Sequence, residues 1–377
     1  MTATIAGIGS ALPPPMSQAE LWEDFFCEHY ADAAVARQVW RSAGIQTRHG
    51  VVNPAYDDIS EASTGARMRR FLAEAVPLGK EAVSRALEDA GVGAGQIGLL
   101  AVVSSTGYAA PGLDVILARD LAMSADVQRL HLGHMGCYAA LPALRAAMDF
   151  VTARRQPAVV LSVELTSLHV QPATDTARGA APTPEDRQQM VAHALFGDAA
   201  AAAVLCPGPG GLAVVDVTAC TDTAAAAEMT WEVTDHGFRM GLSPRVPGIL
   251  AGHVRPVVRR LLDRHGLTID DVDHWAVHPG GRRIVEVVGA ALDLDDEDLA
   301  ASYDVLRDMG NCSSAAVLLV LDRLRTAHRL RAGGWVVAMA FGPGLTLYAA
   351  LLRQTPDYPW GGGATEEKPT TGSGDRR

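Results

Sequence analysis

Hydrophobic and polar positions along the chain predict buried strands that alternate with amphipathic helices. Residues 97–105 form a continuous apolar run, as in a strand buried on both faces, and residues 63–91 carry helical periodicity. The predicted strands occupy residues 5–12, 97–105, 128–133, 157–165, 212–219, 272–277, 334–341 and 345–352. The predicted helices occupy residues 17–30, 63–91, 112–123, 137–152, 248–264, 281–291 and 312–328. This alternation is typical of an α/β fold.

The pattern divides into two successive α/β halves. A run of Pro and Gly ends the first half, residues 1–206, and the second half covers residues 211–353. The element order repeats between the halves, although their residues do not. Residues 173–187, rich in Thr, Pro and Ala, are predicted to form a surface loop. Residues 354–377, polar and rich in Gly and Pro, are predicted to be a disordered tail.

Composition and charge limit the classes of function. The 377 residues are 48% hydrophobic and 20% charged, which is ordinary for a globular protein with a sizeable core. The net charge of −11 disfavours a nucleic-acid-binding protein, which would have to neutralise phosphates. Five cysteines without a CxxC pair make a disulfide framework or a zinc site unexpected. There is neither a basic leader nor an apolar run of about 18 residues, so we expect a cytoplasmic protein without a membrane span.

Three reactive side chains stand beside glycines at the ends of predicted elements. Cys137 ends the segment Gly-His-Met-Gly-Cys and begins the helix predicted at 137–152. His278 follows a predicted strand and precedes Pro-Gly-Gly, and Asn311 follows a glycine just before another predicted helix. A cysteine at a helix N-terminus beside an imidazolium becomes a thiolate, because both favour the anion. The three residues are therefore candidates for a nucleophile, its ion-pair partner and an amide donor to an oxygen.

The order Cys, His, Asn also suits a papain-like protease. That family carries its nucleophile near the mature N-terminus, in a Cys-Gly-Ser/Ala-Cys-aromatic run. Here Cys137 lies far from the start of the chain, and Tyr-Ala-Ala follows it. The flanking residues therefore disfavour a protease.

Two more motifs complete the pattern. They are Leu-Phe-Gly-Asp at 195–198 and Phe-Gly-Pro-Gly-Leu at 341–345. Together with the three glycine-flanked residues, they give a chain that over about residues 1–353 resembles the type III polyketide synthases, the chalcone synthase family. The resemblance implies a thiolase-like fold, with two related βαβαβ-type halves packed as a layered αβαβα core. It also implies a homodimer.

The resemblance further implies a reaction between CoA thioesters. Cys137 would take a starter acyl group from an acyl-CoA, and malonyl-CoA would then extend the chain by decarboxylative condensation. His278 and Asn311 would stabilise the enolate, and neither a metal nor a redox cofactor is expected. The poly-β-keto chain would cyclise to a pyrone, a resorcinol or a polyhydroxynaphthalene-type product.

The same resemblance assigns residues to the substrate path. Phe196 matches one gatekeeper phenylalanine, and Met240 stands where plant enzymes carry a second. Further matches to the family's cavity motifs are Ser105, Ala110, Thr166, His169, Ser313 and Pro343. Small residues at 105 and 110, with a flexible Met240, favour a roomy cavity and a long-chain starter. However, residues 235–248 resemble tetrahydroxynaphthalene synthases that use malonyl-CoA alone, so both product types remain open.

Basic residues near the motifs are candidates for binding the phosphates of CoA. Arg282 and Arg283 begin a predicted helix, where the helix dipole favours an anion, although a solvated helix face would explain them equally well. Arg48 is a weaker candidate of the same kind.

Two other functions share these residues. A ketoacyl-synthase-III-like enzyme would perform a single condensation or acyl transfer with the same triad, but the Gly-Pro-Gly and His-Pro-Gly-Gly runs disfavour it. A homologue that binds without catalysis is disfavoured by the intact triad.

Overall fold

The computed structural model describes residues 2–173, 181–327 and 330–356. The predicted disordered tail lies outside these residues, except for its first three positions. The strands are β1 (Ala3–Ala11), β2 (Pro15–Ser17), β3 (Thr47–His49), β4 (Leu99–Ser104), β5 (Gln128–Gly133), β6 (Ala158–Glu164), β7 (Ala199–Pro207), β8 (Leu212–Thr221), β9 (Met229–Thr234), β10 (Gly237–Leu242), β11 (His274–Val277), β12 (Trp335–Gly342) and β13 (Thr346–Gln354).

The helices follow the same chain order. They are α1 (Gln18–Leu21), α2 (Cys27–His29), α3 (Ala34–Ser42), α4 (Thr64–Ala90), α5 (Leu113–Asp120), α6 (Ala140–Arg154), α7 (Pro184–Leu195), α8 (Val246–Asp263), α9 (Arg282–Leu292), α10 (Ala300–Met309) and α11 (Ala316–Ala327). A π-helical turn joins α1 to α2, and short 3₁₀ helices lie at Thr166–His169 and Ser313–Ala315. Among these described helices, none is both long and apolar enough to cross a membrane.

A central sheet unites the two halves of the chain. Within the described residues it has nine strands in the order β11-β12-β13-β8-β1-β7-β6-β4-β5. Strands β1 and β7 pair antiparallel along most of their length, whereas β1 and β8 pair only between residues 3–5 and 212–214. This short junction lets the first-half strands and the second-half strands diverge.

Helices fill the space between the two halves of the sheet and cover its outer faces. Helices α6 and α11 share one hydrophobic cluster with strands of both halves. Helices α4 and α5 pack on the other face of the first half, and α8 and α9 on the other face of the second. The layers therefore run αβαβα, as the family resemblance implies.

Glycines in β1 allow α4 to approach the sheet closely. A Cβ atom on Gly7 would lie 2.4 Å from the carbonyl oxygen of Ala86, and one on Gly9 would lie 2.4 Å from the nitrogen of the same residue. Helix α4 begins after the N-cap Ser63 and ends at Gly91, whose φ is +65°. These local signals fix both the length of α4 and its distance from the sheet.

Several elements depart from the sequence predictions. Helix α6 begins at Ala140 and not at residue 137, and α11 begins at Ala316 after a 3₁₀ turn. Helix α7 begins at Pro184, inside the predicted surface loop, because Thr183 and Asp186 form a capping box. Strand β7, the β9–β10 hairpin and α10 were not predicted at all.

Candidate active site

Cys137 lies in the tight turn between β5 and α6. Gly136 has a φ of +80°, and a Cβ atom there would lie 2.5 Å from Cδ of Pro343. Only glycine therefore suits position 136, and Pro343 closes over the turn. The Cys137 side chain is buried. Cys137 lies in the turn shortly before Ala140, the first residue of α6.

His278 follows the last residue of β11 at the carboxyl end of the strand. Its backbone N–H donates to the carbonyl of Met339 at 2.8 Å, which ties it to β12. The side chain is buried, and its Nδ1 has no hydrogen-bond partner among the described residues. That ring nitrogen is therefore not committed to a protein contact that would fix the tautomer.

Asn311 is held by the chain that carries Phe196. The backbone N–H of Asn311 donates to the carbonyl of Leu195 at 2.9 Å. The backbone N–H of Gly197 donates to the carbonyl of Asn311 at 3.1 Å. The side-chain Oδ1 accepts from the N–H of Ser313 at 2.9 Å. This bond fixes which end of the amide is the donor. Nδ2 donates one N–H to the carbonyl of Gly280 at 3.4 Å and keeps its second N–H available.

The three side chains line one cleft of about 530 Å³. Phe196 and Met240 line it too, beside apolar groups such as Val191 and Leu250. A cleft of this size, mostly apolar with a few convergent polar groups, is the usual form of a small-molecule site. The structure thus brings together the three predicted catalytic residues and both predicted gatekeepers.

Arg282 and Arg283 line the same cleft at the start of α9. Both side chains are largely exposed, and both contact Glu286, at 3.0 Å and 3.4 Å. Exposed ion pairs of this kind are weak, so the guanidinium groups can turn to another anion. Their role in phosphate binding stays a prediction.

Burial shifts the titration of both reacting groups. It raises the pKa of the Cys137 thiol to about 12, although a hydrogen bond with Ser313 acts in the opposite direction. It lowers the pKa of His278 to about 3. Both shifts favour the neutral thiol and the neutral imidazole, because a desolvated charge is costly. They oppose the thiolate–imidazolium pair expected from the sequence.

Glu164 is a buried carboxyl group next to the nucleophile that the sequence did not single out. Oε2 accepts from the N–H of Ser105 at 3.0 Å and from the hydroxyl of Thr106 at 2.9 Å. Oε1 accepts from the hydroxyls of Ser313 and Ser314. Burial raises the pKa of Glu164 to about 7, and its charge adds to the rise in the pKa of Cys137. The sequence signal was an acidic residue at the end of a largely apolar strand.

Inward from Cys137 lies a small inner pocket of about 20 Å³. It is lined by several of the predicted cavity residues, Ser105, Thr166, Ser313 and Pro343. The missed Trp231 lines it too, and its Nε1 donates to the carbonyl of Ser105 at 2.7 Å. The roomy cavity predicted from small residues at 105 and 110 is not found at this pocket, where Trp231 forms part of the wall.

Trp231 reaches the site on the β9–β10 hairpin. In the hairpin register Trp231 stands opposite Met240, so both side chains lie on one face. The turn ends at Gly237, whose φ is +87°. The alternation of Met229, Trp231 and Val233 before this turn was the sequence signal for the hairpin.

Three predicted residues line neither the cleft nor the inner pocket. Arg48 is buried, lies 4.7 Å over the ring of Trp40 and donates to the carbonyl of Phe196, so it does not face a solvent path for CoA. Burial lowers its pKa to about 9. His169 lines a separate chamber and accepts from the N–H of Phe238 at 3.0 Å. Ala110 lies exposed on the loop before α5.

Comparison with known proteins decides the family. The N-terminal domain of the chalcone and stilbene synthases matches residues 1–209, and the C-terminal domain matches residues 214–356. The chain belongs to this family. It is a type III polyketide synthase with a thiolase-like fold, and hence an acyltransferase. The structure describes no group of three or more His, Cys, Asp or Glu side chains able to hold a metal.

The synthase has relatives of known activity. It is 36% identical over 363 residues to 1,3,6,8-tetrahydroxynaphthalene synthase of Streptomyces peucetius subsp. caesius, and the match covers 93% of each chain. It is 32% identical to the alpha-pyrone synthesis polyketide synthase-like Pks18 of Mycobacterium tuberculosis, over 93% of this chain and 91% of that one.

Solved structures of the family share the fold of the synthase. PKS-I from the brown alga Ectocarpus siliculosus superposes with a TM-score of 0.85 at 32% identity, covering 94% of this chain and 98% of that one. A type III pentaketide synthase from Neurospora crassa gives 0.82 at 28% identity, covering 94% and 100%.

Proposed function

We propose that this synthase condenses malonyl-CoA units on Cys137 and cyclises the resulting poly-β-keto chain. The observation that carries the proposal is the meeting of Cys137, His278 and Asn311 on the wall of one cleft. They come from three separate elements, so their convergence is not a local effect of the sequence.

Loading begins with the Cys137 thiol. It attacks the carbonyl carbon of an acyl-CoA thioester while the neutral ring of His278 takes the thiol proton. The new carbon–sulfur bond forms as the carbon–sulfur bond to CoA breaks, and the CoA thiolate recovers the proton. A neutral thiol and imidazole, the forms that burial favours, are the correct starting states for this transfer.

Extension uses the same cleft. The carbon–carbon bond to the carboxylate of malonyl-CoA breaks, and CO2 leaves with an enolate on the thioester. N–H donors of His278 and Asn311 Nδ2 stabilise the enolate oxygen, which is the usual function of such preorganised donors. The enolate carbon then attacks the acyl–Cys137 carbonyl and releases the Cys137 sulfur for the next cycle.

The rim of the cleft suits the CoA end of the substrate. Arg282 and Arg283 stand at the N-terminus of α9, exposed and only weakly engaged by Glu286. Guanidinium groups at a helix N-terminus are a favourable site for phosphate oxygens.

We propose a homodimer for the assembled enzyme. Strand β5 ends the described sheet on one side, and its edge is exposed along four residues. Leu130 on this strand, with Val115 and Tyr108 nearby in the chain, are large exposed hydrophobic residues. An exposed strand edge of this kind is a template for pairing with another chain, and a two-fold partner is the commonest one.

Replacement of Cys137 tests the proposed chemistry. We expect Cys137→Ala to abolish product from malonyl-CoA, because no other thiol is placed to carry the chain. We expect Cys137→Gln to keep releasing CO2 from malonyl-CoA through His278 and Asn311. Mass spectrometry of products and a CO2 assay measure the two steps separately.

Cys206→Ala is the matched control, because Cys206 is buried in β7 outside the cleft. It should retain both activities. Polyketide formation by Cys137→Ala would remove Cys137 as the nucleophile. Absence of CO2 release in the wild type would reject the proposed function itself.

A further inference from the structure

A second chamber of about 50 Å³ shares Phe196 with the cleft but is lined by none of the three candidate catalytic residues. It has room for about four water molecules or for one small organic ion. Part of its wall is apolar, and polar side chains interrupt that wall, namely Arg48, His49, Ser167, His169, Gln189 and His193. The chamber is therefore suited to a small polar ligand.

Arg48 is the permanently charged side chain of this wall, and its hydrogen-bonding groups are only partly satisfied. The side chain is buried, and one face of the guanidinium lies over the ring of Trp40. Its Nη1 donates to the carbonyls of His193 and Phe196. Its Nε and Nη2 have no hydrogen-bond partner among the described residues. Buried N–H groups of a charged side chain are costly to leave unpaired, so these two nitrogens indicate a ligand.

The two unpaired nitrogens determine the shape of that ligand. Nε and Nη2 lie on one edge of the planar guanidinium, so the Nε–H bond and one N–H bond of Nη2 run parallel. Such a pair of donors matches the two oxygens of a carboxylate and binds it with two hydrogen bonds. The free edge of Arg48 therefore favours a planar oxyanion.

The described residues give the Arg48 charge no direct counter-ion. Asp198 acts on this charge from a distance, without a hydrogen bond to the guanidinium. The Asp198 oxygens accept instead from the N–H of Val51 and from residues 166–167. A buried charge interacts strongly with an ion placed beside it, because little water screens the pair. A small anion in the chamber would therefore be held firmly.

Two histidines of the chamber leave the choice of ligand to Arg48. His169 and His193 each use both ring nitrogens in hydrogen bonds. Burial lowers the pKa of both, to about 4 for His169, so neither ring is charged near neutral pH. Their rings add polar wall but no second cation.

We propose that the second chamber binds one small planar oxyanion, of the size of formate or bicarbonate, on the free Nε–Nη2 edge of Arg48. The site lies outside the condensation chemistry and does not depend on it. Only one source of the ion rests on the proposed function: extension releases CO2, which reacts with water to give bicarbonate and a proton. The bound ion compensates the buried charge of Arg48, the side chain that also holds the carbonyl of Phe196.

Thermal unfolding in the presence of added anions tests the site. Wild type is heated at constant pH and ionic strength with increasing sodium formate or sodium bicarbonate, and in parallel with sodium pivalate. Pivalate carries the same carboxylate on a group too bulky for the chamber. We expect formate and bicarbonate to raise Tm in a saturable way, by about 2 °C at roughly ten times Kd. Pivalate should leave Tm unchanged.

Variants of Arg48 separate the fork from the charge. Arg48→Lys keeps a positive charge but has no pair of parallel donors, and Arg48→Gln lacks both. We expect formate to leave the Tm of either variant unchanged. Arg41→Gln is the matched control, because it removes an exposed arginine of α3, and it should show the wild-type shift.

Three outcomes would overturn the site. They are a wild type whose Tm does not respond to formate or bicarbonate, an equal response to pivalate, and an undiminished response in Arg48→Lys. Should both Arg48 variants fail to fold, the comparison of formate with pivalate in the wild type still decides. None of these measurements uses malonyl-CoA, so failure of the site is distinct from a wild type that releases no CO2, which would reject the proposed function.

Discussion

At the scale of single residues, Glu164 is the buried carboxyl group that contacts the surroundings of the three candidate catalytic residues. Its carboxyl group is buried, yet hydrogen-bond donors from two segments surround it, namely residues 105–106 and 313–314. It therefore ties the loop after β4 to the 3₁₀ turn that follows Asn311. Ser313 also contacts the Cys137 thiol, so the protonation state of Glu164 affects the pKa of Cys137.

The raised pKa of Glu164 makes folding stability depend on pH. Its value is about 7 in the folded protein, against an ordinary value of 4.5, so the folded state holds this proton more tightly than the unfolded state. The associated stability is present below pH 4.5 and is lost as the pH rises toward 7, by about 3 kcal/mol. We expect Glu164→Gln to lack this loss, so that its free energy of unfolding varies less with pH.

Urea denaturation of wild type and of Glu164→Gln measures this effect. The measurements are made at about pH 5, 6.5 and 8, which span the range in which the Glu164 carboxyl titrates. Glu232→Gln is the control, because the Glu232 side chain is exposed and pairs with the surface Arg239. It should follow the wild-type curve. Parallel curves for wild type and Glu164→Gln would show that Glu164 does not titrate in this range.

At the scale of elements, Arg67 joins helix α4 to the segment that carries Thr166. The side chain is buried, and its five N–H groups all donate to backbone carbonyls. Two of the acceptors are Leu168 and Val170, which lie at and after the 3₁₀ helix Thr166–His169. The Arg67 guanidinium thus holds the segment that carries Thr166 against helix α4.

Arg67→Lys should destabilise the protein strongly. An ammonium has three donors on a single atom and cannot reach acceptors arranged around a planar fork, so buried carbonyls would lose their partners. We expect a loss of about 3 kcal/mol in the free energy of unfolding. Arg69→Lys, on the exposed side of the same helix, should change it little. Equal effects of the two substitutions, measured by denaturant unfolding, would contradict the role given to Arg67.

The sequence predicted the elements whose pattern is local, together with the motifs that carry chemistry. The buried strand β4, helix α4 and the three candidate catalytic residues follow from apolar runs, caps and glycine-flanked motifs. The β9–β10 hairpin is short and half exposed, so its alternation is weak. The burial of Arg48 and the place of Trp231 in the wall of the inner pocket depend on contacts between residues more than a hundred positions apart, which no local pattern records.

At the scale of the whole molecule, the described sheet ends at β5 without a covering element. Light scattering at micromolar concentration should therefore give twice the 39.7 kDa mass of one chain. Leu130→Asp should lower this mass, because it places a charge on the strand edge where the partner would pair. Val233→Asp, at a still more exposed position on the β9–β10 hairpin, should not. A wild type that scatters as a single chain would exclude the homodimer.

The position of β5 also bears on how the reaction depends on enzyme concentration. This strand ends at Gly133, and the next few residues lead directly to Cys137. A nucleophile attached to the open edge of a sheet gains order when a second subunit pairs with that edge. The turnover number per chain would then fall on dilution, as subunits separate, so that the rate rises with more than the first power of the enzyme concentration.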